Sequence, residues 1–275
     1  MNDVAAPPIC NLQRDLPAAE YFAVEAMSAS GAKKMLRSPQ HYRLDRDTPS
    51  VPTPQMQFGT AVHCGVLEPA RFADAVACEP EINKRTKNGQ AQWAEFSAAN
   101  AGKIILGSDD HARALACIEA IRAHPAAAYL LEGAEIESSL FWTDGKYQVP
   151  CKARLDGRNH GGIVDLKTTA DASPEAFARQ AANLLYHVQA AHYISAAEHV
   201  LNESPAFFAF IVAEADPPHG VACYAMPGNA ILAGARLMDI ALERYAAALA
   251  AGDWPGYPTT IDALPFPKWA TRFDL

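Results

Sequence analysis

The sequence predicts an α/β domain in which a small mixed β-sheet is flanked by helices. Three observations carry that reading. Helical periodicity fills the chain up to about residue 123, with Phe58, Val62 and Val66 recurring at i, i+4 and i+8. From Glu137 the period changes to two, and Asp144-Gly145 and the stretch Gly157–Gly162 are turn signals between apolar runs. Beyond residue 170 helical and strand patterns follow one another once more.

Taken in order, residues 1–24 are rich in Pro and Ala and read as a flexible arm, with 25–275 as a single domain. Ser28 or Ser30 caps a first helix that Pro39 stops. Pro49, Pro52 and Pro54 mark a linker, and a second helix runs from Phe58 to Leu67. A basic turn, Asn83-Lys84-Arg85-Thr86-Lys87-Asn88-Gly89, precedes helices over 90–101 and 108–123. Ser139, Phe141 and Thr143 alternate with Leu140 and Trp142 in a strand. Val149 to Asp156 and Ile163 to Thr168 continue it as a three-strand meander. Ser173-Pro174-Glu175 combines a cap, a proline at the first helical position and an acid in the first turn, so a long helix is predicted to about Val200. Strands over 207–213 and 220–226 and a helix over 229–250 complete the chain before an irregular tail.

Composition narrows the classes of function. At 275 residues, 50% hydrophobic and 20% charged, the chain is globular and large enough to need no disulfide or structural metal. There is no apolar run of about 18 residues to span a membrane and no secretory leader, so a cytoplasmic protein without membrane partners is expected. The six cysteines include no CxxC pair, which disfavours a zinc ribbon or an iron–sulfur cluster. A net charge of −8 argues against a general nucleic-acid coat protein, yet is compatible with a local basic channel beside metal-binding acids.

The chemistry concentrates between Lys152 and Thr168. Alternation along a strand puts Asp165 and Lys167 on one side and Val164 and Leu166 on the other. On the preceding strand Lys152, Arg154 and Asp156 share a face. A hairpin centred between His160 and Gly161 sets Asp156 directly opposite Asp165. Such pairs have Cβ atoms about 5 Å apart. Two carboxylates that close repel, and a hard cation such as Mg²⁺ or Mn²⁺ between them resolves the repulsion. A lysine two residues after the second acid can stabilise charge on a phosphoryl oxygen or assist a water. Acid, spacer, D-x-K therefore suits metal-assisted phosphodiester hydrolysis. The same short pattern also describes two solvated acids flanking a turn and a surface lysine, although Ile163, Val164 and Leu166 argue for a buried strand.

From Ser28 to Tyr193 the chain resembles the PD-(D/E)xK nuclease superfamily, and within it the RecE-type phage and prophage exonucleases (the exonuclease VIII nuclease domain). The matching pieces stand in the family's order. They are Ser28-Ala29-Ser30 with Ser38-Pro39-Gln40-His41-Tyr42; Gly59-Thr60-Ala61-Val62-His63; Leu67-Glu68-Pro69; and Lys84-Arg85-Thr86-Lys87. Cys151 to Asp156, Asp165-Leu166-Lys167-Thr168-Thr169 and Tyr186-His187-Val188-Gln189 through Tyr193 follow. The resemblance implies a restriction-endonuclease-like core. It makes His63, Asp156 and Asp165 metal ligands, with the carbonyl of Leu166 a further one, and Lys167 the catalytic lysine. The second acid is Asp where much of the superfamily has Glu, which this branch allows. The resemblance further implies a Mg²⁺ cofactor that Mn²⁺ replaces and 5′→3′ digestion of linear duplex DNA to 3′ tails. A single-strand annealing partner and a homo-oligomeric ring go with that activity.

Read without the family, His63 is a half-buried packing residue on an amphipathic helix. Tyr186, Gln189 and Tyr193 share a helix face, and either pack or, as the resemblance implies for Gln189 and Tyr193, touch the DNA backbone. Arg85 and Lys87 are phosphate contacts or a solvated turn; Lys152 and Arg154, sharing the face of Asp156, are the better-placed DNA contacts. Glu137 reads as a surface acid before it reads as an outer-sphere or second-metal carboxylate. Competing functions are another PD-(D/E)xK nuclease, Cas4-like or restriction-type, and a catalytically silent DNA-binding scaffold.

Overall fold

The computed structural model describes residues 10–48 and 51–266. Strand β1 (Cys10–Gln13) pairs antiparallel with residues 139–142, and helix α1 (Ala18–Ala23) follows it. The expectation of a loose arm over 1–24 is therefore corrected for residues 10–24; residues 1–9 lie outside the described residues. The reason is non-local. The Leu16 carbonyl accepts from Arg154 Nη2 at 2.6 Å, and the Tyr21 and Val24 carbonyls accept from Lys152 Nζ at 2.8 and 2.7 Å.

Helix α2 (Ala29–Arg37) is capped as its sequence demands, Ser28 Oγ accepting the Gly31 N–H. Ser38 ends it and opens helix α3 (Pro39–Asp47), accepting from the His41 N–H. Proline occupies the first position of α3, where its missing N–H would have had no partner, so Pro39 both stops one helix and starts another. Helix α4 (Pro54–Leu67) begins four residues before the expected Phe58, because Thr53 caps it and Pro54 is likewise its first residue. A 3₁₀ turn (Pro69–Arg71), α5 (Phe72–Ala75), β2 (Val76–Cys78), α6 (Lys87–Ala99), β3 (Ile104–Leu106), α7 (Ser108–Ala123) and α8 (Pro125–Leu131) follow. Strands β2 and β3 form a separate parallel pair of three residues each, too short for a period to show in the sequence.

The main sheet contains β1, β4 (Glu135–Thr143), β5 (Pro150–Asn159), β6 (Gly162–Thr169), β7 (Phe208–Glu214) and β8 (Val221–Ala225), in the order β1-β4-β5-β6-β7-β8. Only β6 and β7 run parallel. The turn joining β5 and β6 is His160-Gly161, at φ 49° and 72°; two consecutive positive φ values make the twisted two-residue connection that hairpins favour. The expected long helix after Ser173 is two: α9 (Pro174–Asn183) and α10 (Tyr186–Leu201), with Leu185 between them at φ 52°. No Gly or Pro marks the break. It lets Phe177 of α9 stack on Tyr224 while α10 buries Val188, His192 and Ala196 elsewhere, and packing supplies what local propensity opposes.

Helix α11 (Gly228–Ala251) completes the layer that holds α2 and α10. Ile163, Phe208, Phe210 and Val212 bury toward this layer, while Val164, Leu166, Ala209, Ile211 and Ala213 bury toward α4 and α7. Two cores thus sandwich β6 and β7, and Asp165 between them is fully enclosed while Lys167 and Thr168 keep part of their surface.

Candidate active site

Asp165 and Lys167 share the face of Ile163, toward α10, as period two requires. The β5–β6 ladder pairs Gly157 with Val164 and Arg158 with Ile163, the register that sets Asp156 opposite Asp165. The ladder stops at Gly157, and the Asp156 side chain bridges the opening: its Oδ2 accepts the Leu166 N–H at 2.8 Å. N–H and C=O of one strand residue point to the same neighbouring strand, so the Leu166 carbonyl also faces β5.

The alternation of the β4–β5 pair slips at this point. Leu155, opposite Ser138, buries toward α10, but Ile136, opposite Gly157, buries toward α4. Between them Glu137 takes φ 51°, rare for a side-chain-bearing strand residue. Asp156 lies at this irregularity.

His63 reaches the same place from α4. Gly59 lets that helix lie close to β6, since a Cβ there would meet Thr168 Oγ1 at 3.3 Å. His63 is four residues on, on the same helix face, with Nδ1 3.6 Å from Asp156 Oδ2. From the other layer, Gln189 of α10 donates Nε2–H to Asp165 Oδ1 at 2.6 Å, and both side chains are buried.

Electrostatics follow from this enclosure. Burial pushes the Asp165 carboxyl up; Lys167 opposes that and Asp156 reinforces it. Lys167 Nζ forms an ion pair with Asp165 Oδ2, and the two acids outweigh burial to hold its pKa above the usual lysine value. The pair is not a well-directed hydrogen bond: Asp165 Oδ2 is buried with no properly aligned donor. Glu137 is pushed up to about 7 by burial and then by Asp156, with Arg154 at 3.7 Å opposing. Tyr193 is raised well above its ordinary value, chiefly by burial and then by Asp165, and stays a neutral phenol beside the acids.

Two carboxylates, an imidazole and a backbone carbonyl are a donor set that suits a hard divalent cation, and the unsatisfied Asp165 Oδ2 is an acceptor such an ion would complete. Among the described residues no three His, Cys, Asp or Glu groups already stand at mutual ligating distance. Asp165 is instead occupied by Gln189 and Lys167, and Asp156 by the Leu166 N–H.

Two expected DNA contacts are corrected. Lys152 is 3% exposed, its ammonium donating to the carbonyls of Tyr21, Phe22 and Val24 beneath α1. Arg154 donates to Ser139 Oγ and the Leu16 carbonyl and lies over the Tyr21 ring at 4.6 Å. Both occupy the strand face that alternation assigns them, but residues 16–24 cover that face. Arg85 and Lys87 stand exposed at the start of α6, remote in sequence from the strands of the site. Tyr193 packs 6.2 Å from the Phe208 ring. Sequence reasoning passed over Lys33 of α2, which shares the ring of Tyr186 with Lys167; nothing in the sequence sets it apart from Lys34 beside it.

A mixed sheet between helical layers, with an acid on one strand facing a D-x-K strand, defines the PDDEXK class of fold. The family model described as "PDDEXK-like domain of unknown function (DUF3799)" matches residues 28–265, and the chain belongs to that family. It is similar to the crystal structure of a protein from Eubacterium rectale named "Putative exonuclease", with a TM-score of 0.59 and 13% sequence identity over 96% of this chain and 100% of that one. At that identity the likeness is one of fold. No curated protein matches by sequence. No helix among the described residues is long and apolar enough to cross a membrane.

Proposed function

We propose that the protein is a metal-dependent DNA exonuclease acting on linear duplex DNA in the cytoplasm. The observation that carries this is the pairing of the buried Asp165 with the half-buried Lys167, with Asp156 across the opened hairpin and His63 behind it. Asp156, Asp165, His63 and the Leu166 carbonyl would hold the ion. A bound Mg²⁺, or Mn²⁺ in its place, supplies Lewis-acid polarisation of the phosphoryl group. Gln189 fixes the Asp165 carboxylate through Oδ1, so that Oδ2 faces Lys167. Lys167 stays cationic and presents its charge where phosphoryl oxygens gain negative charge as the bond breaks. Phe210 and Tyr186 pack against each other on the α10 side of the strand, their ring centroids 5.7 Å apart.

The fold neighbour's name supports exonucleolytic action, and the RecE-type resemblance supports 5′→3′ polarity that leaves 3′ tails. By the same resemblance the tails pass to a single-strand annealing protein and the nuclease works as a homo-oligomeric ring. The test is digestion of linear duplex labelled separately at the 5′ and 3′ ends, beside a closed circle, with Mg²⁺, Mn²⁺ or EDTA. Metal-dependent release of the 5′ label first, an intact circle, and at least a hundredfold loss in Lys167→Ala are expected. Tight DNA binding without cleavage in either metal would refute the enzyme and leave a scaffold.

A further inference from the structure

Lys33 and Lys167 approach one ring from two elements. Their Nζ atoms lie 5.0 and 5.1 Å from the Tyr186 centroid, so the two ammoniums are at most about 10 Å apart. Lys34, next along α2 and exposed, pairs with Asp45 at 2.8 Å. Lys33 is more deeply placed, yet among the described residues no carboxylate lies within salt-bridge distance of it. Asp165, the acid whose charge acts on Lys33, is held through Oδ1 by Gln189 and pairs through Oδ2 with Lys167 instead.

A partly desolvated ammonium without an anion is unfavourable, and a ring quadrupole shared with a second cation compensates it poorly. The burial of Lys33 and the charge of Lys167 pull its pKa down to about 8, so at pH 7 it remains about ten-to-one protonated. What is missing among the described residues is an anion for Lys33, and one supplied from outside would complete it.

We infer that Lys33 is a second substrate contact, holding a phosphate oxygen of the strand being cut near the one that Lys167 faces, with the Tyr186 ring against both ammoniums. This rests on the nuclease reading, in that it takes the ligand to be a nucleic-acid backbone. A phosphodiester fits because it offers a singly charged, multiply accepting group to each lysine.

The test measures binding of a fluorescently labelled linear duplex in EDTA, where nothing is cut, as KCl is raised, for wild type, Lys33→Gln, Lys33→Arg and Lys34→Gln. Loss of one phosphate contact lowers the slope of log affinity against log salt by about 0.9. Lys33→Gln should lose that increment while melting within a few degrees of wild type. Lys33→Arg should restore it, and Lys34→Gln should keep it. With metal present, kcat/KM for Lys33→Gln should fall about ten- to a hundredfold, as for a lost hydrogen bond to a charged group. A folded Lys33→Gln with the wild-type slope and kcat/KM overturns the assignment, as does an equal loss of slope in Lys34→Gln. If wild type binds with the Lys33-dependent slope but cuts nothing, the nuclease reading fails and Lys33 keeps its role. Absence of DNA binding by wild type overturns both.

Discussion

Replacing Gly234 by alanine puts a methyl group where the backbone of the neighbouring helix already stands. A Cβ on Gly234 would lie 2.0 Å from the His187 carbonyl oxygen, 2.4 Å from its carbon and 2.9 Å from Val188 N. Ordinary contact begins at 3.4 Å, so α10 and α11 must part by about 1.4 Å there, since main-chain atoms have no rotamer to swing away. Overpacking of this kind costs about 1–3 kcal/mol, while exchanging Gly for Ala inside a helix returns up to about 1 kcal/mol. A net loss of about 1–2 kcal/mol lowers the melting temperature by roughly 2–8 °C for a chain of this size. The damage also reaches the site. Gln189 is the residue after Val188, and its 2.6 Å bond to Asp165 does not survive a shift of that size. Gly228→Ala on the same helix is the control: nothing lies within 4 Å of its Cβ, and its stability should equal or slightly exceed wild type. Urea unfolding with unchanged m-values, alongside DNA digestion, reads both variants. A Gly234→Ala protein as stable as Gly228→Ala would refute the packing argument.

Lys152→Met strands the carbonyls of Tyr21, Phe22 and Val24 and should destabilise by about 1–2 kcal/mol while leaving the salt slope of DNA binding unchanged; a lower slope would make Lys152 a DNA contact after all. His192 is buried and held down to about 4, by burial first, with Nε2 3.0 Å from the Lys152 carbonyl. The folded state binds its proton later than the unfolded chain. This contribution to stability is therefore complete above about pH 6.5 and is lost as pH falls toward 4, about 2–3 kcal/mol by pH 4.5. Denaturant midpoints at pH 7.5 and 4.5 should draw closer together in His192→Gln, and an unchanged difference would contradict the assignment. Mg²⁺ or Mn²⁺ should raise the melting temperature of wild type but not of Asp156→Asn, because an ion that binds only the folded protein stabilises it by mass action. Equal shifts in both would remove Asp156 from the ligand set.

The legible part of the site is its local part. Asp156, the His160-Gly161 turn, Asp165 and Lys167 occupy twelve consecutive positions, where strand period and turn chemistry are intrinsic to the chain. The cap at Ser28 was legible for the same reason, as one of two serines on offer, whereas the caps at Ser38 and Thr53 stand before prolines that the sequence reading took for a stop and a linker. Lys152 and Arg154 show where that logic ends. Alternation placed them on the correct strand face, but whether a face meets DNA or protein depends on what covers it. The cover is residues 16–24, whose Pro/Ala composition suggested a free arm.

By itself, then, the sequence determined the five long strands of the main sheet, the register of the β5–β6 hairpin, the turn that opposes the two acids, and the D-x-K spacing. Each depends on residues a few positions apart and on backbone stereochemistry. Only the tertiary structure decided the rest. It brought His63 from α4 and Gln189 from α10 onto opposite sides of one carboxylate pair, broke the α9–α10 helix at Leu185 without a glycine or proline, and buried Lys152 while leaving Lys33 without an anion among the described residues. Those outcomes turn on which distant surfaces bury against one another, a choice set by the summed apolar packing of the whole chain and carried by no short segment of it.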